Sequence, residues 1–317
     1  TSRYCFAPHA STPHVMADDG DVCVLIPTLN EAETIGDVID GFRAQGLDNI
    51  FVIDGRSADD TPDVARDHGA RVTVQSGTGK GQAVREAVRQ IDAEYCLLVD
   101  GDGTYDPEDA DAMLEPLRKG RAEHVIGNRF ADMAPDAMSQ LNRFGNRVID
   151  RLFATLYGTR KMDILSGYRA FSLSSIRRLS LTAEGFGIET EMAAECARLG
   201  IATEVVPISY GARPDGSATN LRPFRDGGRI LLTMFLRTKT SNPFVYFGVT
   251  GGLSMAVGLL IAAFVVVEWV TRNVSHEVWA VVGGFAIIVG VQLIMFGVLS
   301  DLIVTLHREQ LDRLDDD

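Results

Sequence analysis

The chain has 317 residues, 46% hydrophobic and 23% charged, which excludes intrinsic disorder over most of its length and suits about two folded units. Its 43 acids against 30 bases leave a net charge of −13, and only four of the bases are lysine (Lys80, Lys119, Lys161 and Lys239). That balance argues against nucleic acid as the main partner. It suits a surface hydrated in concentrated salt, where screening removes self-repulsion, or an acidic protein of ordinary salinity.

Residues 1–20 carry no charged region followed by an apolar one, so no signal peptide is expected, and no helical period; they are expected to be leader or disordered N-terminus, with Met16 as a candidate natural start. From 21 to 221, short apolar runs alternate with helical patterns. Strands are expected at 22–26, 50–53, 71–74, 95–99 and 124–126, and helices at 31–45 and 81–91. Such alternation predicts an α/β domain whose parallel sheet is covered on both faces. Ligands then bind at the carboxyl ends of strands near a topological switch point. Cys5, Cys23, Cys96 and Cys196 are scattered without a C-x-x-C pair, so neither a disulfide framework nor a zinc site is expected.

The segment after the first strand is Pro27-Thr28-Leu29-Asn30-Glu31, which lacks the glycine fingerprint of a dinucleotide fold and counts against a dehydrogenase. Asn30 and Glu31 suit the start of the next helix as caps, or a ligand contact. The second strand ends in Asp54-Gly55-Arg56-Ser57, where turn chemistry and a nucleobase contact by Asp54 are both open. Gly77-Thr78-Gly79-Lys80-Gly81 fails the phosphate-loop spacing, leaving Lys80 to touch a diphosphate or to sit in a solvated turn. After the fourth strand comes Asp100-Gly101-Asp102-Gly103. Two carboxylates this close at a strand end repel each other unless a cation sits near them, and hard oxygen ligands select Mg²⁺ or Mn²⁺. Glu189 and Glu191, near a helix start, suit capping or a place in the site.

Residues 244–267 and 278–300 are free of Asp, Glu, Lys and Arg, apolar, and each able to reach roughly 35 Å as a helix, enough to cross a hydrocarbon core. A ten-residue connection makes them a hairpin with both ends on one side. Arg222, Arg225, Arg229, Arg237 and Lys239 precede it and Arg308 and Arg313 follow, so the larger N-terminal part is expected to be cytoplasmic. The expected organisation is therefore a catalytic domain at 21–221, a juxtamembrane amphipathic helix at 222–243, a hairpin at 244–306 and an acidic cytoplasmic tail at 307–317. Small residues Gly248, Gly251, Gly252, Ser254, Gly258, Gly283 and Gly284 suit close helix packing, either of the two spans or with a partner, which leaves a homo-oligomer open.

The ordered set PTLNE, DGRSADDT, GTGKGQA, DGDGTYDPED, GNRF (127–130), ILSGYRAF (164–171) and RPDGS (213–217) resembles the family-2 glycosyltransferases of GT-A fold. More narrowly it resembles the dolichyl-phosphate (polyprenyl-phosphate) hexose synthases, nearest those of haloarchaeal S-layer N-glycosylation. The resemblance covers roughly residues 21–237. It implies a Rossmann-like, mainly parallel sheet with helices on both faces, then a juxtamembrane helix and a two-helix transmembrane hairpin. It also implies a divalent cation (Mg²⁺ or Mn²⁺), a nucleotide-sugar donor, dolichyl or polyprenyl phosphate as acceptor and a lipid bilayer as partner. Carried over by position, Pro27, Leu29, Glu31 and Asp54 would hold the nucleoside, with Lys80 beside the donor. Asp100, Gly101 and Asp102 would bind the sugar diphosphate and its metal. Arg129 and Arg213 would reach donor phosphates, and Ser166 and Arg169 the lipid phosphate. Leu29 stands where many relatives have Tyr, Thr104 where some have a metal-binding Gln, and no Lys follows Ser217, so Arg222 is the nearest cation for the acceptor phosphate.

Under this resemblance the expected reaction is inverting transfer of a hexose, glucose from UDP-glucose, with GDP-mannose as the alternative donor. A processive synthase of the same fold would carry more spans and a Q-x-x-R-W motif, and neither is present. A membrane-tethered nucleotide-sugar-binding scaffold without turnover is the competing reading from another class.

Overall fold

The computed structural model describes residues 21–183, 185, 187–213, 227–228, 230–232, 234–236, 238 and 242–315. The expectations for residues 1–20 and 214–226, including Arg222, and for Arg229, Arg237 and Lys239 fall outside them. Side chains are described to residue 306, so Arg308 and Arg313 are outside as well.

Seven strands form one sheet in the order β3-β2-β1-β4-β6-β5-β7. They are β1 (Val22–Thr28), β2 (Ile50–Asp54), β3 (Arg71–Val74), β4 (Tyr95–Leu98), β5 (His124–Met133), β6 (Arg169–Ser172) and β7 (Thr203–Tyr210). The pairs β1–β2, β2–β3, β1–β4 and β5–β7 are parallel, whereas β6 runs antiparallel to both β4 and β5. The expected mainly parallel sheet is thus present, with one reversed strand inserted. Its order turns around between β1 and β4, which opens a crevice beyond the carboxyl ends of those two strands.

The buried central strands feed two cores by their twofold alternation. Val22, Val24 and Ile26 face one side with Ile39 and Phe42 of α1 (Ile35–Ala44) and Met113 and Leu114 of α4 (Ala110–Arg118). Cys23 and Leu25 face the other with Val84 of α3 (Lys80–Val88), Ile176 of α6 (Leu173–Arg178) and Met192 of α7 (Ile188–Leu199). A short α2 (Thr61–Asp67) leads into β3. Cys23, Cys96 and Cys196 are free thiols buried in this packing.

The long α5 (Gln140–Tyr157) starts at Ser139, whose hydroxyl accepts from the Asn142 amide, and stops at Gly158 in the left-handed region (φ 65°). A third apolar cluster joins its Ile149 and Phe153 to Ile164, Ala193, Ala194, Ile230 and Met234. Two further helices, α8 (Pro243–Arg272) and α9 (Glu277–Asp315), form the C-terminal hairpin, and both are long and apolar enough to cross a membrane. The small residues settle how they pack. A Cβ on Gly251 would lie 2.6 Å from the Gly290 carbonyl and one on Gly258 2.6 Å from the Gly283 carbonyl, while the Ser254 hydroxyl donates to the Ala286 carbonyl at 2.8 Å. Gly251, Gly258 and Gly283 therefore serve contact between the two helices, whereas Gly248, Gly252 and Gly284 face open space.

Candidate active site

The loops after β1, β2 and β4 build one wall of the crevice. Asn30 takes a left-handed backbone (φ 57°), its side-chain oxygen accepts from the Ala58 amide at 2.7 Å and its own amide donates to Ser57 Oγ at 2.9 Å. The Glu31 amide donates to Thr61 Oγ1 at 2.8 Å. Neither side chain caps α1, which begins only at Ile35. The pair instead fastens one strand-end loop to the next, and the Glu31 carboxylate is left for the crevice. Thr34 completes the tie by donating its hydroxyl to the Gly101 carbonyl at 2.7 Å.

Glu31, Asp100 and Asp102 converge there. A Cβ on Gly101 would lie 2.5 Å from Glu31 Oε2, so only glycine lets the β4 loop approach this carboxylate. Glu31 Oε2 is buried without a hydrogen-bond partner. Burial, then the charges of Asp102 and Asp100, push the Glu31 carboxyl up to about 8, so it carries a proton through neutral pH. Asp102 accepts from the Thr104 amide (3.1 Å) and hydroxyl (2.6 Å) through one oxygen and from Arg213 at 2.5 Å through the other. Thr104 thus orients Asp102. Asp100 pairs with Lys80, and a Cβ on Gly167 of the SGYR segment would overlap the Asp100 carboxylate. The Gly167 amide is fixed by donation to the Tyr105 hydroxyl at 2.8 Å.

Several candidate residues have partners within the fold. Lys80 is largely buried rather than set in a solvated turn. Its ammonium sits between Asp100 and Glu189, the latter at 2.5 Å; burial works against its charge, but the two carboxylates more than offset this and its pKa is raised. Glu189 accordingly belongs to the site rather than to a helix cap. Glu191 accepts from the amides of Thr182 and Ala183 at 2.9 and 2.7 Å, fixing the segment before α7. Asp54 is filled by its own turn. One oxygen accepts from the Thr28 and Ser57 hydroxyls, the other from the Arg56 and Ser57 amides, which sets the carboxylate at the end of β2.

Arg129 is buried in a bidentate pair with Asp163, both bonds 2.7 Å, and lies over the Tyr210 ring. Arg169 and Ser166 have no exposed surface. The Arg169 guanidinium donates to the carbonyls of Ser166 and Ile164 and to His124, which ties the β6 entry together. Ser166 Oγ is buried without a partner. Pro27 is buried in β1, whereas Leu29 is exposed at the crevice mouth. Asp163, Tyr105 and His124 carry these contacts and had no signal in the local pattern, because their partners lie far away in sequence.

Among the described residues no three His, Cys, Asp or Glu side chains are disposed to ligate a metal by themselves. The crevice instead offers Asp100 and Asp102, hard oxygen donors beside a buried, orphaned carboxylate oxygen of Glu31. That set fits a divalent cation that takes its remaining ligands from a diphosphate and water.

Residues 23–180 match the family model described as glycosyl transferase family 2. The chain is also 59% identical to the glycosyltransferase AglJ of Haloferax volcanii over 93% of its own length and 97% of that relative. It belongs to the family 2 glycosyltransferases. Within the family it is 34% identical, over 66% of this chain and 90% of the relative, to a dolichyl-phosphate hexose transferase of the same organism. The fold is shared with glucosyl-3-phosphoglycerate synthase of Mycobacterium tuberculosis, solved with UDP (25% identity, TM-score 0.56, 69% of this chain and 80% of that one). The same synthase solved with Mn²⁺ and UDP-glucose matches at 24% identity and TM-score 0.56, over 69% of this chain and 79% of that one. Family 2 membership makes a nucleotide sugar the class of donor for this chain.

Proposed function

We propose that the protein is an inverting, metal-dependent hexosyltransferase that moves glucose from UDP-glucose to dolichyl or polyprenyl phosphate at the cytoplasmic membrane face, in protein N-glycosylation. The observation that carries this reading is the convergence of Glu31, Asp100 and Asp102 at the switch point of a chain that also ends in a hairpin able to cross a bilayer. The dolichyl-phosphate hexose transferase named among its relatives supports the acceptor, and the UDP-glucose complex of the mycobacterial synthase supports the donor.

Asp100 and Asp102 would hold the cation, which when bound supplies positive charge against the departing diphosphate. Lys80 keeps Asp100 and Glu189 in place, and Thr104 and Arg213 do the same for Asp102. Glu31 lies beside Asp100 and Asp102, and burial together with their charges pushes its carboxyl up. The acceptor phosphate has a second pKa near 6 and is mostly dianionic at neutral pH, so no strong general base is required. One of its oxygens attacks the anomeric carbon as the bond from that carbon to the diphosphate breaks, the electron pair leaving with the nucleoside diphosphate. Configuration inverts, and positioning carries most of the catalysis.

The test is transfer of radiolabel from UDP-glucose and from GDP-mannose, in parallel, to short dolichyl phosphate in high salt with Mg²⁺ or Mn²⁺. Labelled lipid from UDP-glucose alone is expected. Nucleotide binding without labelled lipid from either donor would replace this reading with the scaffold.

A further inference from the structure

Helix α5 has two apolar faces. Ile149 and Phe153 enter the third cluster, while Leu141, Phe144, Val148 and Leu152 lie on another side with 56%, 68%, 38% and 42% of their surface exposed. The spacing of three, four and four residues keeps them on one stripe, and Arg143, Arg147 and Arg151 follow along its edge. A soluble domain has no use for such a row, which adds apolar surface to water without packing it.

The position of the helix says what covers the row. The carbonyl of Leu156, one residue from the end of α5, accepts from the side-chain amide of Asn242 at 3.2 Å, and Asn242 is the N-cap of α8, the first hairpin helix. The Tyr157 hydroxyl reaches the Met234 carbonyl at 3.5 Å. The residues around Met234 repeat the arrangement: Ile230, Met234 and Thr238 are buried against the domain while Leu231, Leu232 and Leu236 are exposed. The carboxyl end of α5 is therefore bound to the point where the apolar hairpin begins. A row of arginines on a chain of net charge −13 complements an anionic headgroup layer, and they line the stripe where an interfacial helix carries its basic residues.

We propose that the stripe of Leu141, Phe144, Val148 and Leu152 on α5, edged by Arg143, Arg147 and Arg151, lies in the headgroup region of the bilayer that receives the hairpin. The domain is then held to the membrane at two places, the hairpin and α5. Two attachments fix the tilt of the sheet, where a hairpin alone would let the domain swing. The inference rests on the reading of the hairpin as membrane-spanning, and not on the sugar or the acceptor.

The full-length protein is reconstituted in vesicles of zwitterionic and anionic phospholipids whose chains carry bromine either near the headgroup or near the methyl end. In the unaltered protein, Trp269 and Trp279 report hairpin insertion. In a background of Trp269→Phe and Trp279→Phe, Phe144→Trp reports α5 and Val74→Trp, on the exposed edge strand β3, serves as the reference. Bromine near the headgroup is expected to lower the Phe144→Trp emission about twofold and to leave that of Val74→Trp unchanged, in keeping with burial about 5–10 Å deep. Quenching of the native tryptophans without quenching of Phe144→Trp overturns the α5 proposal alone. Loss of both signals overturns the membrane reading beneath it. Protection of Phe144→Trp in detergent by dimerisation, with no bromine effect in vesicles, also overturns it and assigns the stripe to a second copy of the chain.

Discussion

Replacing Gly167 by alanine tests whether the SGYR segment sets the position of Asp100. An ideal Cβ at Gly167 lies 2.9 Å from Asp100 Cγ and 3.1 Å from Oδ1, and overlaps Oδ2. Gly167 is not among the positive-φ glycines, so alanine meets no backbone strain and the insult is confined to this one contact. Relief to ordinary van der Waals separation requires the carboxylate to withdraw by roughly 1 Å. A displacement of that size at a reacting centre costs about 10²-fold in rate, or about 2.7 kcal/mol of barrier. The assay is the initial rate of labelled-lipid formation by Gly167→Ala in vesicles at saturating donor, with Mn²⁺ titrated, beside a thermal unfolding curve. The expected result is the rate loss and a weaker Mn²⁺ dependence, with unfolding within a few degrees of the parent. A variant that keeps the parental rate and Mn²⁺ response would refute the claim that Gly167 packing places Asp100.

Four further outcomes are expected. Asp163→Ala strands the buried Arg129 guanidinium and should cost about 3–5 kcal/mol in denaturant unfolding, whereas a loss below about 1 kcal/mol would mean that water reaches the pair. Asp150 is buried beside the charge of Asp163, which raises its carboxyl to about 7; between about pH 4 and 7 the folded chain keeps a proton that the unfolded chain has released, so this group lowers stability as pH rises through that window. Asp150→Asn should therefore gain on the parent with rising pH by up to about 4 kcal/mol and stay level above pH 7, and a constant difference would contradict the burial argument. Asp102→Ala should abolish transfer and remove the cation dependence of donor binding, as read by donor titration with and without a chelator, and unchanged transfer would overturn the metal assignment. Gly258→Leu forces a side chain into the Gly283 carbonyl and should destabilise the hairpin by about 1–3 kcal/mol in detergent unfolding, with unchanged stability arguing for looser packing of the two helices.

Local pattern was enough wherever one residue's chemistry is read from its immediate neighbours. β1, β2 and β4 are legible because their apolar runs are continuous, β3 because Val72 and Val74 alternate with polar residues, the hairpin because its two apolar stretches have the length of a bilayer, and Asp100 and Asp102 because two carboxylates one glycine apart at a strand end demand a counter-charge. The reversed β6 and the edge strand β7 were not read, since Arg169–Ser172 holds only Ala170 and Phe171 between polar ends and β7 alternates weakly, with Glu204 and Pro207 in its span.

What only the tertiary structure decided is how the charged residues are spent. Lys80, Arg129 and Arg169 all look like phosphate ligands in the sequence, yet their partners Glu189, Asp163 and His124 lie 34 to 109 positions away and meet them only when the sheet closes. A buried cation must find a partner or lose its charge, and which partner it finds depends on packing that no short window contains. The same holds for Glu31, whose ordinary carboxyl becomes a proton holder because two strand ends bring it to Asp100 and Asp102. Composition and periodicity determined the α/β class, the apolar hairpin and the strand-end position of the paired aspartates; the three-dimensional arrangement determined which charges meet inside the fold.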